Sequence, residues 1–275
     1  MRELVVFGDS YVEGYYRDEN GEMCFVDKKL GKWLSHYLKV PVLSAGFRGH
    51  SNVAISYDIN TYIRTRPLDN VAFLIIWSDP KRNYAINDSV EGIDQFFKVV
   101  GRGVDQFLEE NSDKDHVGDC MTRWLTESAY NSTVNILNDH NIPFMMTNSV
   151  SNEMFKGRRL DWGRVKNEDG SDGSRLYING YHKQEDYKFI FDKEKIKEHY
   201  IEPENLNNTL YDIVTGRWIN DKDVRFHNYI KTAIDRENKI WETNPYVFKD
   251  LHPNEKGYRL IAKTIAPYIK PILEK

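Results

Sequence analysis

The sequence predicts a doubly wound, three-layer α/β/α sandwich built around a central parallel sheet, and three observations carry that expectation. Short apolar runs alternate with helix-period stretches along the chain, the order that builds parallel strands joined by crossover helices. One run, residues 71–77 (Val-Ala-Phe-Leu-Ile-Ile-Trp), is apolar throughout, as a central strand covered on both faces requires. The chain closes on a long amphipathic stretch, residues 255–273, with Ile261, Ile265 and Ile269 four apart, which would seat an apolar stripe on a sheet.

The elements follow in order. Residues 3–7 read as the first strand, and residues 28–38 as an amphipathic helix with Leu30, Leu34 and Leu38 spaced by fours. The second strand is expected at 41–44 and the third, mid-sheet, at 71–77. A helical pattern over 119–138 leads through Asn141 and Ile142 into a fourth strand at 143–148. Two stretches exceed this minimal plan. Residues 80–117 hold Gly101-Arg102-Gly103 and a polar segment at 109–115, expected as an exposed loop between helices. Residues 151–220 form a larger insertion, turn-rich at 169–174, with aromatics at Tyr177, Tyr181, Tyr187, Phe189, Phe191 and Tyr200. Such an insertion either covers and shapes a site or serves as surface decoration or an oligomer contact. The chain thus reads as one domain, 1–275, with an insertion or lid subdomain at 151–220.

Composition narrows the function classes. A chain of 275 residues with 40% apolar content can bury a substantial core. Net charge is -4, and the 38 Lys and Arg are dispersed among 42 Asp and Glu, so nucleic acid is not an expected partner. No stretch approaches the roughly 18 consecutive apolar residues of a membrane span, and no charged segment with a following apolar run precedes the first strand. Neither a membrane segment nor a signal peptide is expected. Cys24 and Cys120, far apart and without metal-ligand spacing, read as free thiols in a reducing compartment. His36, His50, His116, His140, His182, His199 and His227 show no HExxH or His-x-His pattern, so neither a metal nor a cofactor is expected.

Two short motifs carry the chemistry. Gly8-Asp9-Ser10 ends the first strand, and Asp250-Leu251-His252-Pro253-Asn254 precedes the last helix. A hydroxyl attacks an ester only when a base takes its proton, so a serine just past a strand and a histidine beside a carboxylate are the parts of a nucleophilic hydrolase. No Gly-x-Gly-x-x-G or phosphate-loop lysine follows the first strand, which disfavours a nucleotide binder.

On these residues the chain resembles the SGNH (GDSL-type) hydrolases, whose flavodoxin-like α/β/α fold cleaves acyl esters. The resemblance implies Ser10 as nucleophile, His252 as general base and Asp250 as the orienting carboxylate. It also implies that Gly49, in the segment 44–52, offers a backbone oxyanion donor, with an ordinary turn glycine before a helix capped by Ser51 or Asn52 as the companion reading. Family members carry Gly-x-Asn-Asp after the third strand, whereas here the strand ends Ile76-Trp77-Ser78-Asp79-Pro80-Lys81-Arg82. Ser78 aligns with the family's oxyanion asparagine, and Asn52 and Arg82 are candidate substitutes. The family spacing is Asp-x-x-His, and Lys249 occupies that position. Three arrangements therefore stay open: Asp250 reaching His252, a Ser-His dyad, or a carboxylate borrowed from elsewhere, such as Asp79. The Trp77-Ser78 segment followed by Arg82, with Gly49-His50-Ser51-Asn52, is similar to a divergent branch found in bacteriophage and bacterial genomes.

The expected activity is a serine esterase acting on a small-molecule or carbohydrate ester, with an acetyl group on a sugar as the first candidate because the insertion is polar and Tyr-rich. The expected location is cytoplasmic or phage-associated. The alternative is a catalytically weakened SGNH-like binding or virion structural protein, favoured by the missing Gly-x-Asn-Asp and the shifted aspartate.

Overall fold

The computed structural model describes residues 2–78, 115–150, 160–166, 172–178, 198–201, 209–216 and 235–274. Four parallel strands form the sheet: β1 (Glu3–Gly8), β4 (Val42–Gly46), β5 (Val71–Trp77) and β6 (Phe144–Asn148), in the order β4-β1-β5-β6. A short hairpin, β2 (Tyr15–Arg17) with β3 (Met23–Phe25), follows β1 and its four-residue helix α1 (Ser10–Glu13). The larger helices are α2 (Leu30–Leu38), α3 (Asn52–Thr65), α4 (Asp115–Asp139) and α6 (Glu255–Glu274), with a short α5 at Leu210–Val214. The predicted fold class is therefore observed: a parallel sheet between two helical layers.

Alternation along the central strands divides the core in two, because successive side chains point to opposite faces. Leu4, Val6, Leu74 and Ile76 meet Leu30 and Leu34 of α2 and Ile261, Ile265 and Ile269 of α6. Val5, Phe7, Phe73, Ile75 and Trp77 meet Ile55, Ile59 and Ile63 of α3 and Tyr130, Val134 and Leu137 of α4. All seven residues of β5 are buried, which is why that strand shows no polar positions. β6 is extended at its outer side by Tyr200, where Met146 donates to His199 at 2.7 Å and Ile201 donates to Met146 at 2.8 Å.

Several expectations shift. The predicted 119–138 helix begins at Asp115, so Asp115 belongs to it rather than to the polar loop; the rest of the 109–115 segment lies outside the described residues, as does Gly101-Arg102-Gly103. Of the 151–220 stretch, two strands are described, β7 (Leu160–Lys166) and β8 (Asp172–Ile178), paired antiparallel. Tyr181, Tyr187, Phe189 and Phe191 lie outside the described residues. The β2–β3 hairpin has no sequence expectation, because three-residue strands are too short to show a period. Among the described residues no helix is long and apolar enough to cross a membrane, and no group of three or more His, Cys, Asp or Glu stands ready to hold a metal ion.

β1 feeds β4 on one side and the chain then crosses back to β5 on the other, so the carboxyl end of β1 lies where the strand order reverses. Ligand sites in open α/β sheets occur at such a switch point. The packing yields one stability expectation. Leu74→Ala should cost about 2–5 kcal/mol, since its side chain is fully buried between sheet and helices. Leu43→Ala, on the edge strand with 43% exposure, should stay within about 0.5 kcal/mol. Urea midpoints at unchanged slope would measure both.

Candidate active site

Ser10 opens α1 directly beyond β1. Asp9 caps that helix, its Oδ1 accepting the Tyr11 N–H at 3.0 Å. The other Asp9 oxygen accepts the hydroxyls of Ser78 and Ser149, each at 2.9 Å. The buried carboxylate thus ties together the ends of β1, β5 and β6.

His252 arrives from the opposite end of the chain. Its Nε2 lies 2.9 Å from Ser10 Oγ, and its Nδ1 lies 3.0 Å from Asp250 Oδ2. A carboxylate can only accept, so Nδ1 carries the proton and Nε2 presents a lone pair to the serine hydroxyl. Of the three arrangements open from the sequence, the structure contains the one in which Asp250 reaches His252. It does so because the segment is not extended. Residues 248–252 form a tight turn: Leu251 donates to the Phe248 carbonyl at 2.9 Å, Phe248 donates to the His252 carbonyl at 2.8 Å, and Leu251 sits at φ 70°. This resembles the three-residue hairpin loop whose last residue is left-handed, a place usually filled by glycine. A left-handed leucine costs about 1–2 kcal/mol; its burial at 4% exposure offsets that cost. Curling the chain lets Asp250 Oδ1 accept the His252 N–H at 3.1 Å while Oδ2 takes the imidazole. A third donor, the Arg17 N–H, reaches Oδ2 at 2.6 Å.

Burial alone would push the Asp250 carboxyl up. The hydrogen bond from His252 and its electrostatic attraction, with the N–H groups of Arg17 and His252, outweigh burial and hold it below its ordinary value. Two tyrosine rings flank the imidazole, Tyr15 edge-on with centroids 5.5 Å apart and Tyr11 tilted at 5.7 Å.

Gly49 occupies a turn in which His50 donates to the Phe47 carbonyl at 3.3 Å, with Gly49 at φ 75°. That conformation suits glycine, and no atom lies within 4 Å of where a Cβ would stand. The neighbouring amides are engaged: Phe47 donates to Gly8 at 3.2 Å and Arg48 to Glu13 Oε2 at 2.6 Å. The Gly49 N–H has no acceptor among the described residues. Neither does that of Ser10, in the first turn of a helix where amides lack intrahelical partners. Ser51 caps α3, accepting the Ala54 N–H at 3.3 Å.

The Ser78 hydroxyl and the Asn52 amide, expected as oxyanion donors, have partners within the protein. The Ser78 hydroxyl is given to Asp9, while the Asn52 amide closes a two-bond ring with the Ser78 backbone, accepting its N–H at 2.8 Å and donating to its carbonyl at 3.2 Å. Both side chains are fully buried and lock strand ends together. Arg82 and Asp79 lie outside the described residues. Sequence reasoning misses Ser149, Tyr11, Tyr15 and the Arg17 amide; the tyrosines just after Ser10 are the available signal, and a backbone N–H leaves none.

Two measurements bear on this geometry. Gly257 in α6 packs against the Tyr246 carbonyl, and an added Cβ would overlap that oxygen and stand 3.1 Å from Pro253 Cβ. Gly257→Ala should therefore displace the His252 turn and cost about 1–3 kcal/mol in thermal unfolding. The lowered Asp250 value means that its stabilisation is present above the unfolded-state carboxyl pKa of about 3.9 and vanishes as pH falls through the lower native value. In melts at decreasing pH, wild type should lose more stability than Asp250→Asn below about pH 4.

No protein-family model and no curated protein matches the sequence. Among solved structures the chain is similar to a member of the lipolytic protein G-D-S-L family from Veillonella parvula, at 14% identity over 97% of each chain with a TM-score of 0.36. It is also similar to the lipase/acylhydrolase from Enterococcus faecalis, at 15% identity over 98% of this chain and 96% of that one, with a TM-score of 0.36.

Proposed function

We propose that the protein is a serine esterase of SGNH type. The observation that carries this reading is the continuous relay from Ser10 Oγ through His252 to Asp250, with steps of 2.9 and 3.0 Å. In the proposed reaction His252 Nε2 takes the Ser10 proton as Oγ attacks the acyl carbonyl, and Asp250 stabilises the resulting imidazolium. The tetrahedral oxyanion is held by the N–H groups of Ser10 and Gly49, neither of which has an acceptor among the described residues. The imidazolium returns its proton to the departing alcohol. Water, deprotonated by the same nitrogen, then releases the acyl group and restores Ser10.

For the substrate we favour a short acyl group, acetyl on a carbohydrate. Support comes from the polar, tyrosine-rich composition of residues 151–220, since amphipathic rings with hydroxyl tips suit a hydroxylated partner better than a long hydrocarbon tunnel.

Incubation with a fluorophosphonate, followed by peptide mass spectrometry, tests the nucleophile without a choice of substrate. A single adduct on Ser10 is expected, abolished in His252→Ala and slowed about 10²–10⁴-fold in Asp250→Asn. Absence of the adduct, where a control serine hydrolase labels fully, would favour a binding or virion structural role. Turnover of p-nitrophenyl esters should fall from acetate to octanoate; the reverse order would overturn the acetyl assignment.

A further inference from the structure

Three consecutive residues of β2 each touch a different residue of the turn that bears the relay. The Tyr15 ring stands edge-on to His252, the Tyr16 ring stacks on Phe248 with centroids 3.8 Å apart and planes 7° off parallel, and the Arg17 N–H donates to Asp250 Oδ2 at 2.6 Å. Strand geometry explains why the amide is available. In the hairpin the even-numbered residues face the partner strand: Val26 donates to the Gly14 carbonyl at 2.8 Å and Asp18 to the Glu22 carbonyl at 3.0 Å, with Tyr16 paired to Cys24 between them. Alternate residues of an antiparallel strand turn their N–H outward, so the Arg17 amide lies on the free edge. An unpaired edge N–H is ordinarily a liability; here it meets a carboxylate.

The geometry points to the hairpin as the positioning element of the relay: the Arg17 backbone N–H fixes the Asp250 carboxylate, and the Tyr16–Phe248 stack seats the hairpin against the turn. This rests on the esterase reading for its kinetic consequence, though not for its structural one. The device answers a problem set by the short Asp-x-His spacing. Asp250 sits within a tight turn, and of its three donors two belong to His252 itself. Only Arg17 anchors the carboxylate to another element among the described residues, so without it Asp250 and His252 could swing together away from Ser10.

Arg17→Pro is the sharpest test. It deletes the N–H while leaving the hairpin ladder intact, because that amide has no cross-strand partner and proline is tolerated at a strand edge. Arg17→Ala keeps the N–H and serves as its reference. With p-nitrophenyl acetate, kcat of Arg17→Pro should fall at least about tenfold below that of Arg17→Ala, the size of one lost hydrogen bond to a charged group, with KM within about twofold. By proton NMR, the His252 Nδ1–H resonance should stay visible in Arg17→Ala and broaden through exchange with water in Arg17→Pro. Should Arg17→Pro fail to fold by circular dichroism, Tyr16→Ala against Tyr16→Phe carries the same comparison, since phenylalanine preserves the stack. Equal kcat and equally sharp resonances across either pair would overturn the inference. If wild type fails to label at Ser10, the esterase reading falls, and the NMR comparison alone still decides whether the hairpin holds Asp250 and His252.

Discussion

A carboxylate with no exposure, Asp9, is the interaction on which the site depends. Its oxygens accept from the Tyr11 amide of α1 and from the hydroxyls of Ser78 and Ser149, just past β5 and β6. Burying a charge is costly unless hydrogen bonds replace its water, and a carboxylate shared among these elements penalises any one that moves away. Ser10 follows Asp9 directly in α1, so the constraint that gathers the strand ends also fixes the serine. The Asn52 amide, paired with the Ser78 backbone, extends the same lock to the start of α3.

Seen from that lock, the absence of the Gly-x-Asn-Asp pattern has a structural meaning. Where the resemblance implies a side-chain oxyanion donor, this chain places a serine whose proton is committed to Asp9. On the proposed esterase reading, charge developing on a substrate oxygen would then fall to backbone amides, and those of Ser10 and Gly49 lack acceptors among the described residues. Backbone donors suit this work because a helix turn and a hydrogen-bonded loop hold them in advance, without rotamers to restrict.

The histidine side is built by different means. Asn254 caps α6, accepting the Gly257 N–H at 3.1 Å, and Gly257 lets the helix approach the Tyr246 carbonyl closely. The intervening turn is strained at Leu251 and held from outside by β2. Local strain of this kind persists where surrounding contacts over-determine it. Here the buried Leu251 side chain, the Val247–Pro253 bridge and the Tyr16–Phe248 stack supply those contacts.

By itself the sequence determined the layers and the ends of the relay. Unbroken apolarity in β5 and four-residue spacing in α6 follow from burial, and burial is written in residue type. Ser10 and His252 were legible because their chemistry is specific and each borders a recognisable element. Tertiary structure alone decided the rest. Whether Asp250 reaches His252 turned on a left-handed Leu251, a conformation that leucine does not advertise. The β2–β3 hairpin was too short to show a period, and its contribution at Arg17 is a main-chain amide that every residue but proline carries. Ser78 and Asn52 were sound donor types, but Ser78 donates to Asp9 and Asn52 to the Ser78 carbonyl, partners distant in the chain and adjacent only once the parallel strands have aligned their ends.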